Sequence, residues 1–456
     1  MIKIEWVLYH LLPFFGFLLA VTLLVHQRRE RRSPASTIAW FLGIVLVPYI
    51  GVPAYLLFGG RKIKRMIRSK DSLAPGKNAP PAAVGQNESG GILPLRPGND
   101  YTILGTGEQA YSALIDHIES AGKSIDIATY VFTNDSTGSF ILDALTRKAV
   151  SGVRVRLLLD AVGSFKISDA ILGRFLAAGG KRAVFMPMMH LPFRGRANLR
   201  NHRKVAIFDA TTAIFGGMNI AREYMGADTD AKRWYDLSII VRGPVIADLA
   251  EIFQSDWQFA AKQDNAIGFE PFSTAPAGAS TMQVVPSGPD VDGDPIHDGI
   301  LSVLFAARER VWIVTPYFIP DEMTLKAICI AARRGVDVRI LVPQVSNHLL
   351  ADIVRRGYLR EIQSSGATIH NFTPGMLHGK IILVDSSLVI AGSMNMDMRS
   401  FFLNYETAVF MYDEKIVSEL EQWIRDRMSQ SVTGIDKSND FAEFLEGAAR
   451  LLSPLL

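Results

Sequence analysis

The run Asn201–Asp209, NHRKVAIFD, sets a histidine and two cations at the head of an apolar strand. Polar groups at such a place destabilise a sheet unless they meet partners or do chemistry. Leu377–Asp385, LHGKIILVD, repeats the spacing H-x-K-x-x-x-x-D, with its histidine 378 − 202 = 176 positions after the first. Side chains alternate along a strand, so His202 and Lys204 point one way, as do His378 and Lys380. Asp209 and Asp385, an odd seven positions after their histidines, should not share that face and read as turn or supporting residues. A return strand follows each motif, AIFGGMN or VIAGSMN, and sets Gly217 or Ser393 two positions before Asn219 or Asn395. A small residue lets a ligand approach the backbone, and the amide donates hydrogen bonds to it.

Each set offers one imidazole, one ammonium and one amide. That inventory suits an oxyanion, most naturally a phosphate, with histidine as the reactive group. One set alone lacks the general acid that attack on a phosphodiester needs. Two sets facing each other supply two histidines with different tasks. A single H-x-K-x-x-x-x-D arises by chance in roughly a few per cent of chains this long, but two copies with the same G-G/S-x-N sequel do not. No histidine cluster has the spacing of a zinc site: His297, His348 and His370 are scattered, and His117 lies in an amphipathic helical pattern. Neither a metal nor a cofactor is implied.

Two similar halves must position these groups. SIDIATYVF and FILDALTRKAVSGVRVRLLLD precede the first motif; RVWIVTPYF and LKAICIAARRGVDVRILVP precede the second. Each reads as strand, helix, strand, which predicts an α/β chain with a mixed, largely parallel sheet covered by helices. Gly152 and Gly335 fall just past the helix ends, where φ is often positive. The domain pattern is therefore 101–270 and 271–456, with the Pro-, Gly- and Ser-rich stretch 271–289 as the seam. Residues 71–100, rich in Pro, Gly, Asn and Ala, read as a linker.

Ahead of the linker, residues 4–25 and 37–58 are apolar runs, each long enough for the roughly 20 helical residues that cross a bilayer core. A cationic segment without an Ala-x-Ala-like site follows the first, so it is not a cleaved signal peptide. Pro48, Gly51 and Pro53 make the second either a bent span or a re-entrant segment. Arg28, Arg29, Arg31 and Arg32 lie between the runs, and the larger cluster, Arg61 to Lys70, favours a cytoplasmic body. Both clusters suit anionic headgroups. The whole chain is nearly balanced, with 48 basic and 45 acidic residues, and its densest cations flank the apolar runs rather than the motifs, which disfavours a nuclease. Its one cysteine, Cys329, excludes an internal disulfide and reads as a buried thiol. The stretch around His190, with Arg194, Arg196 and Arg200, reads either as a lipid-facing lip or as core packing, and FAEFLEGAARLL reads as a helix packed on the body.

The paired H-x-K and G-G/S-x-N motifs resemble those of the phospholipase D superfamily. The apolar N-terminal runs, NHRK, TPYFIP at 315–320, NMDMRS at 395–400 and the terminal SPLL are similar to the bacterial cardiolipin synthases within it. The resemblance implies two tandem α-β-α sandwich domains behind an N-terminal membrane-embedded helical region, with the site at the domain interface. It implies a catalytic set of His202, Lys204, Asp209, His378, Lys380 and Asp385, with one histidine forming a phosphohistidine and the other serving as acid and base. His202 is assigned as nucleophile and His378 as acid/base. Asn219, Asn395, Gly217 and Ser393 would contact the substrate. A carboxylate should orient each histidine: Glu406 for His378, and Asp236 for His202. The activity implied is transfer of a phosphatidyl group between two phosphatidylglycerols in a bacterial cell membrane, with anionic phospholipids and no nucleic acid as partners. Hydrolysis at the same site, phosphatidyl transfer to another acceptor, or lipid binding without catalysis are the competing readings.

Overall fold

The computed structural model describes residues 93–186, 199–261, 275–291 and 293–436, the helix Pro34–Leu46, and isolated positions towards both ends. Most of the run 4–25, the linker up to 92, both N-terminal cation clusters, the stretch 187–198 with His190, Arg194 and Arg196, and most of the C-terminal helical segment lie outside the described residues. Among the described residues no helix is long and apolar enough to cross a membrane.

The first half contributes β1 (Arg96–Leu104), β2 (Ser124–Thr129), β3 (Arg154–Asp160), β4 (Lys181–Phe185), β5 (Val205–Phe208), β6 (Thr212–Gly216) and β7 (Ser238–Arg242). The second contributes β8 (Ser280–Ser287), β9 (Arg310–Val314), β10 (Phe318–Ile319), β11 (Asp337–Pro343), β12 (Thr368–Phe372), β13 (Ile381–Val384), β14 (Leu388–Gly392), β15 (Met396–Asp397), β16 (Glu406–Tyr412) and β17 (Ser431–Thr433). The order from one edge is β17-β12-β11-β9-β13-β14-β16-β8, continuing through β1-β7-β6-β5-β2-β3-β4. Seven strands recur in the same order in each half, the second adding β17 at its edge and the separate pair β10-β15, and antiparallel pairing of β1 with β8 joins the halves into one sheet.

Three expectations change here. Within this sheet only β2-β3-β4 and β9-β11-β12 run parallel; the other ladders are antiparallel, because each motif strand returns through a short hairpin. The linker ends earlier than residue 100, since β1 begins at Arg96. The seam 271–289 holds the strand β8, which pairs with both β1 and β16.

Local signals explain the helices that cover the sheet. Thr106, Asp135, Asp321 and Asp413 cap helices Gly107–Ser120, Ser136–Val150, Glu322–Arg333 and Glu414–Met428, each side chain accepting a first-turn N–H. Gly152 and Gly335 take φ of +87° and +86°, left-handed conformations open to glycine. Alternation in β5 sends Ala206 and Phe208 into a core belonging to the first half. Val205 and Ile207 enter a second core that also holds Val389, Val409, Leu420 and Trp423 of the second half. The halves therefore share buried apolar surface as well as a sheet.

Candidate active site

The two motif histidines sit where strand ends from opposite halves cross. Asn201 bridges to Tyr405; His202 N–H donates to the Tyr405 carbonyl at 2.9 Å, and Tyr405 N–H donates to that of Arg200 at 2.8 Å. The second half repeats the arrangement. Leu377 bridges to Tyr235, His378 N–H donates to Tyr235 at 2.7 Å, and Tyr235 N–H donates to Met376 at 2.8 Å. The residue after each tyrosine is a carboxylate, so each carboxylate is delivered to the other half's histidine. His202 Nδ1 lies 2.9 and 3.0 Å from the two Glu406 oxygens, and His378 Nδ1 lies 2.7 Å from Asp236. The expected partners are thus exchanged: Glu406 orients His202, and Asp236 orients His378.

His378 is buried, with 4% of its side chain exposed, and His202 is largely enclosed, with 12% exposed. Burial lowers His202 to about 4 against the pull of Glu406. Burial, aided by Lys380 and Lys204, takes His378 well below the usual range. Both shifts favour the neutral imidazole, and each carboxylate accepts the Nδ1 proton, which leaves the Nε2 lone pair of His202 to react, whereas Lys380 Nζ lies 3.3 Å from Nε2 of His378. The two carboxylates differ. Burial pushes Glu406 up, but His202, Lys204 and Ser393 together hold it below the ordinary range. Burial raises Asp236 to about 7, with Lys380 and Lys204 opposing. Burial also brings Lys204 down to about 7 and Lys380 to about 8.

The lysine ammoniums stay beside their own motifs. Lys204 Nζ donates to the His202 carbonyl at 2.7 Å, and Lys380 Nζ donates to that of His378 at 2.6 Å. Asn219 Oδ1 accepts the Val131 N–H at 3.1 Å, whereas Asn395 Oδ1 is buried without a hydrogen-bond partner. Gly217 and Ser393 serve the carboxylates instead of opening the backbone to a ligand. A Cβ at Gly217 would lie 2.3 Å from an Asp236 oxygen, and Ser393 Oγ donates to Glu406 at 2.5 Å.

Asp209 and Asp385 stand at the far ends of β5 and β13, away from the histidines. With φ of +50° and +51°, they gather loop N–H groups: Gly122, Lys123 and Ser124 donate to Asp209; Arg308, Glu309 and Arg310 donate to Asp385. Both carboxylates anchor the loops that lead into β2 and β9.

Other residues emerge only from the structure. Arg203 is fully buried; its Nη1 meets both Asp256 oxygens at 2.6 and 2.7 Å, and its Nε donates to the Glu406 carbonyl at 3.1 Å. Its place as the first of the two cations in NHRK was its only sequence signal. The matching position, Gly379, has no such room, because a Cβ there would lie 3.1 Å from the Trp423 ring. Tyr130 meets His202 edge-on at 5.1 Å, while Tyr224 and Trp234 flank His378 at 5.1 and 5.2 Å. No periodicity marked these aromatics. Among the described residues no group of histidine, cysteine and carboxylate side chains could hold a metal ion.

Two repeated halves that meet over one pair of histidines, each oriented by a carboxylate, define a phospholipase D-type protein. The comparisons narrow this class. The family model described as cardiolipin synthase, PLD-like domain, matches residues 114–257 and 300–428, once per half. A phospholipase D–nuclease N-terminal model matches residues 17–60. Cardiolipin synthase 1 of Bacillus anthracis is 32% identical over 461 residues, covering 94% of this chain and 90% of the relative. Cardiolipin synthase of Clostridium perfringens strain 13 is 33% identical over 455 residues, covering 94% and 95%. Among solved structures, phosphatidylserine synthase of Haemophilus influenzae shares the fold, with a TM-score of 0.60 at 15% identity over 78% of this chain and 95% of that one. The chain belongs to the cardiolipin synthase family.

Proposed function

We propose that the chain is a membrane phosphatidyltransferase that joins two phosphatidylglycerols into cardiolipin and releases glycerol. The observation that carries this reading is the pair of crossed histidine–carboxylate contacts, which gives one site two imidazoles in different electrostatic settings. The relatives named above carry the same activity in their names.

Ionised Glu406 holds the proton of His202 on Nδ1, so Nε2 is the nucleophile. Asp236, raised to about 7, lets the Asp236–His378 pair keep one further proton near neutrality. That pair is the acid. Nε2 of His202 bonds to phosphorus, the bond to the glycerol oxygen breaks, and His378 delivers a proton to that oxygen. Lys204, Lys380, Asn219 and Asn395 hold the non-bridging oxygens as charge develops. The terminal hydroxyl of a second phosphatidylglycerol then gives its proton to His378 and attacks the phosphohistidine. One phosphodiester replaces another, so no nucleotide enters the balance.

The apolar runs 4–25 and 37–58 and the family match at 17–60 support a membrane-embedded N-terminal region. The cluster Arg61–Lys70 supports a body on the cytoplasmic face of a bacterial cell membrane. A membrane-bound acceptor is held at high local concentration, which favours transfer to lipid over dilute alcohols. The test is product analysis with purified protein in phosphatidylglycerol bilayers. Cardiolipin and glycerol form in equal amounts, and added glycerol drives the reaction back. Phosphatidic acid as the main product, indifferent to glycerol, would make the chain a hydrolase.

A further inference from the structure

Strands β3 and β11 occupy matching places in the two halves, and each leads into a loop fastened to a tyrosine that follows the neighbouring parallel strand. The loop after β3 is fastened to Tyr130: the Ser164 hydroxyl donates to the Tyr130 carbonyl at 2.9 Å and accepts the Phe132 N–H at 2.9 Å. The loop after β11 is fastened to Tyr317: Asn347 Oδ1 accepts the Tyr317 hydroxyl at 2.5 Å, and the His348 ring meets Tyr317 edge-on at 5.3 Å. Tyr130 borders His202. The Thr315 hydroxyl ties Tyr317 to the other motif, donating to the Tyr317 carbonyl at 2.8 Å and accepting the N–H of Met396, the neighbour of Asn395, at 3.1 Å. Both loops therefore rim the same mouth.

The first loop, and the second loop with the first turn of the helix Leu349–Ser364 that follows it, turn apolar side chains to solvent. Phe165 is 64% exposed, Val345 72% and Leu349 77%, with Leu350 and Ile353 also exposed beside them. Lys166 stands 5.7 Å from the Phe165 ring, and Arg356 is exposed three residues past Ile353. Large apolar side chains grouped at the rim of a site, with cations behind them, fit the boundary between acyl chains and anionic headgroups. We infer that these two loops form a two-part docking surface that seats the mouth of the site on an anionic phospholipid bilayer. A protein on both loops would cover the mouth, whereas a bilayer presents the substrate to it. The inference rests on the proposed lipid substrate, whose phosphate reaches the histidines while its acyl chains stay in the bilayer.

The single native cysteine, Cys329, is buried, so cysteines introduced at the surface take an environment-sensitive fluorophore selectively. Phe165→Cys and Leu349→Cys report the two loops. Val150→Cys, exposed at the end of the helix Ser136–Val150 that leads into the start of β3, is the control. In the full chain reconstituted into phosphatidylglycerol-containing bilayers, both loop labels emit at shorter wavelength. Spin labels on the lipid chains quench them at least about threefold more than the control. Water-like emission without quenching at either loop overturns the two-part surface. So does a blue shift without quenching, which marks coverage by protein, either the N-terminal segment or a second copy. The labels report without turnover, so a failure of docking is distinguished from a failure of the proposed reaction.

Discussion

Glu406 of the second half lies 2.9 Å from Nδ1 of His202 of the first, although 204 positions separate them in the chain. The buried carboxylate fixes which nitrogen carries the proton and stabilises the imidazolium-like charge that forms on attack. Glu406→Gln keeps the shape and loses the charge. Turnover should fall about a thousandfold with KM within about threefold, and Glu406→Asp should recover part of it. Steady-state kinetics on the three proteins checks this; an unchanged kcat in Glu406→Gln would remove Glu406 from the mechanism.

The two histidines act as one unit, so His202→Ala and His378→Ala should each abolish turnover. They differ in a single-turnover trap. His202→Ala forms no acid-labile phosphoenzyme, whereas His378→Ala retains the nucleophile and forms it slowly. The opposite pattern would reverse the two roles.

Asp236 and Lys204 are both brought to about 7, and each loses its proton as pH rises through that value. Below it the Asp236–His378 pair holds the proton destined for the leaving glycerol, and Lys204 is charged for phosphate. Above it both are lost. In detergent micelles kcat/KM should therefore fall on the alkaline side with an apparent pKa near 7. A flat profile from about pH 6 to 9 would contradict this assignment of the acid.

Asp209 and Arg203 separate support from chemistry. Asp209→Ala releases three loop N–H groups and should lower stability by about 2 kcal/mol, while turnover per folded molecule is preserved. Arg203→Met strands the buried Asp256 charge and should cost about 3–5 kcal/mol, with a loss of turnover through the displaced Glu406. Thermal unfolding alongside activity distinguishes the two.

The repeat was legible in the sequence because alternation, helix-ending glycines and paired motifs are local signals. The site's wiring was not. Glu406 was matched to His378 and Asp236 to His202 by nearness along the chain, and their separations of 28 and 34 positions disagreed by six. The same six residues separate the spacing of Asn219 and Asp236, 17, from that of Asn395 and Glu406, 11. The extra length lies in the segment that carries Tyr224 and Trp234 to His378. Strand crossing at Asn201–Tyr405 and Tyr235–Leu377 decides the pairing, and it is a tertiary contact that no periodicity encodes. Arg203 was visible only as a cation; its burial against Asp256 depends on the helix Val245–Ala261 lying across the sheet.

Because each half lends its carboxylate to the other's histidine, neither half holds a finished reactive pair within its own chain segment. One such half associating with an identical copy would complete two equivalent pairs, obliging both imidazoles to behave alike. Joining two copies through β1 and β8 keeps the reciprocal exchange while freeing each copy to diverge. That divergence is visible as arginine against glycine at 203 and 379, glycine against serine at 217 and 393, and aspartate against glutamate at 236 and 406. A division of labour between donor and acceptor chemistry is thus available to a tandem chain in a form closed to a symmetric dimer.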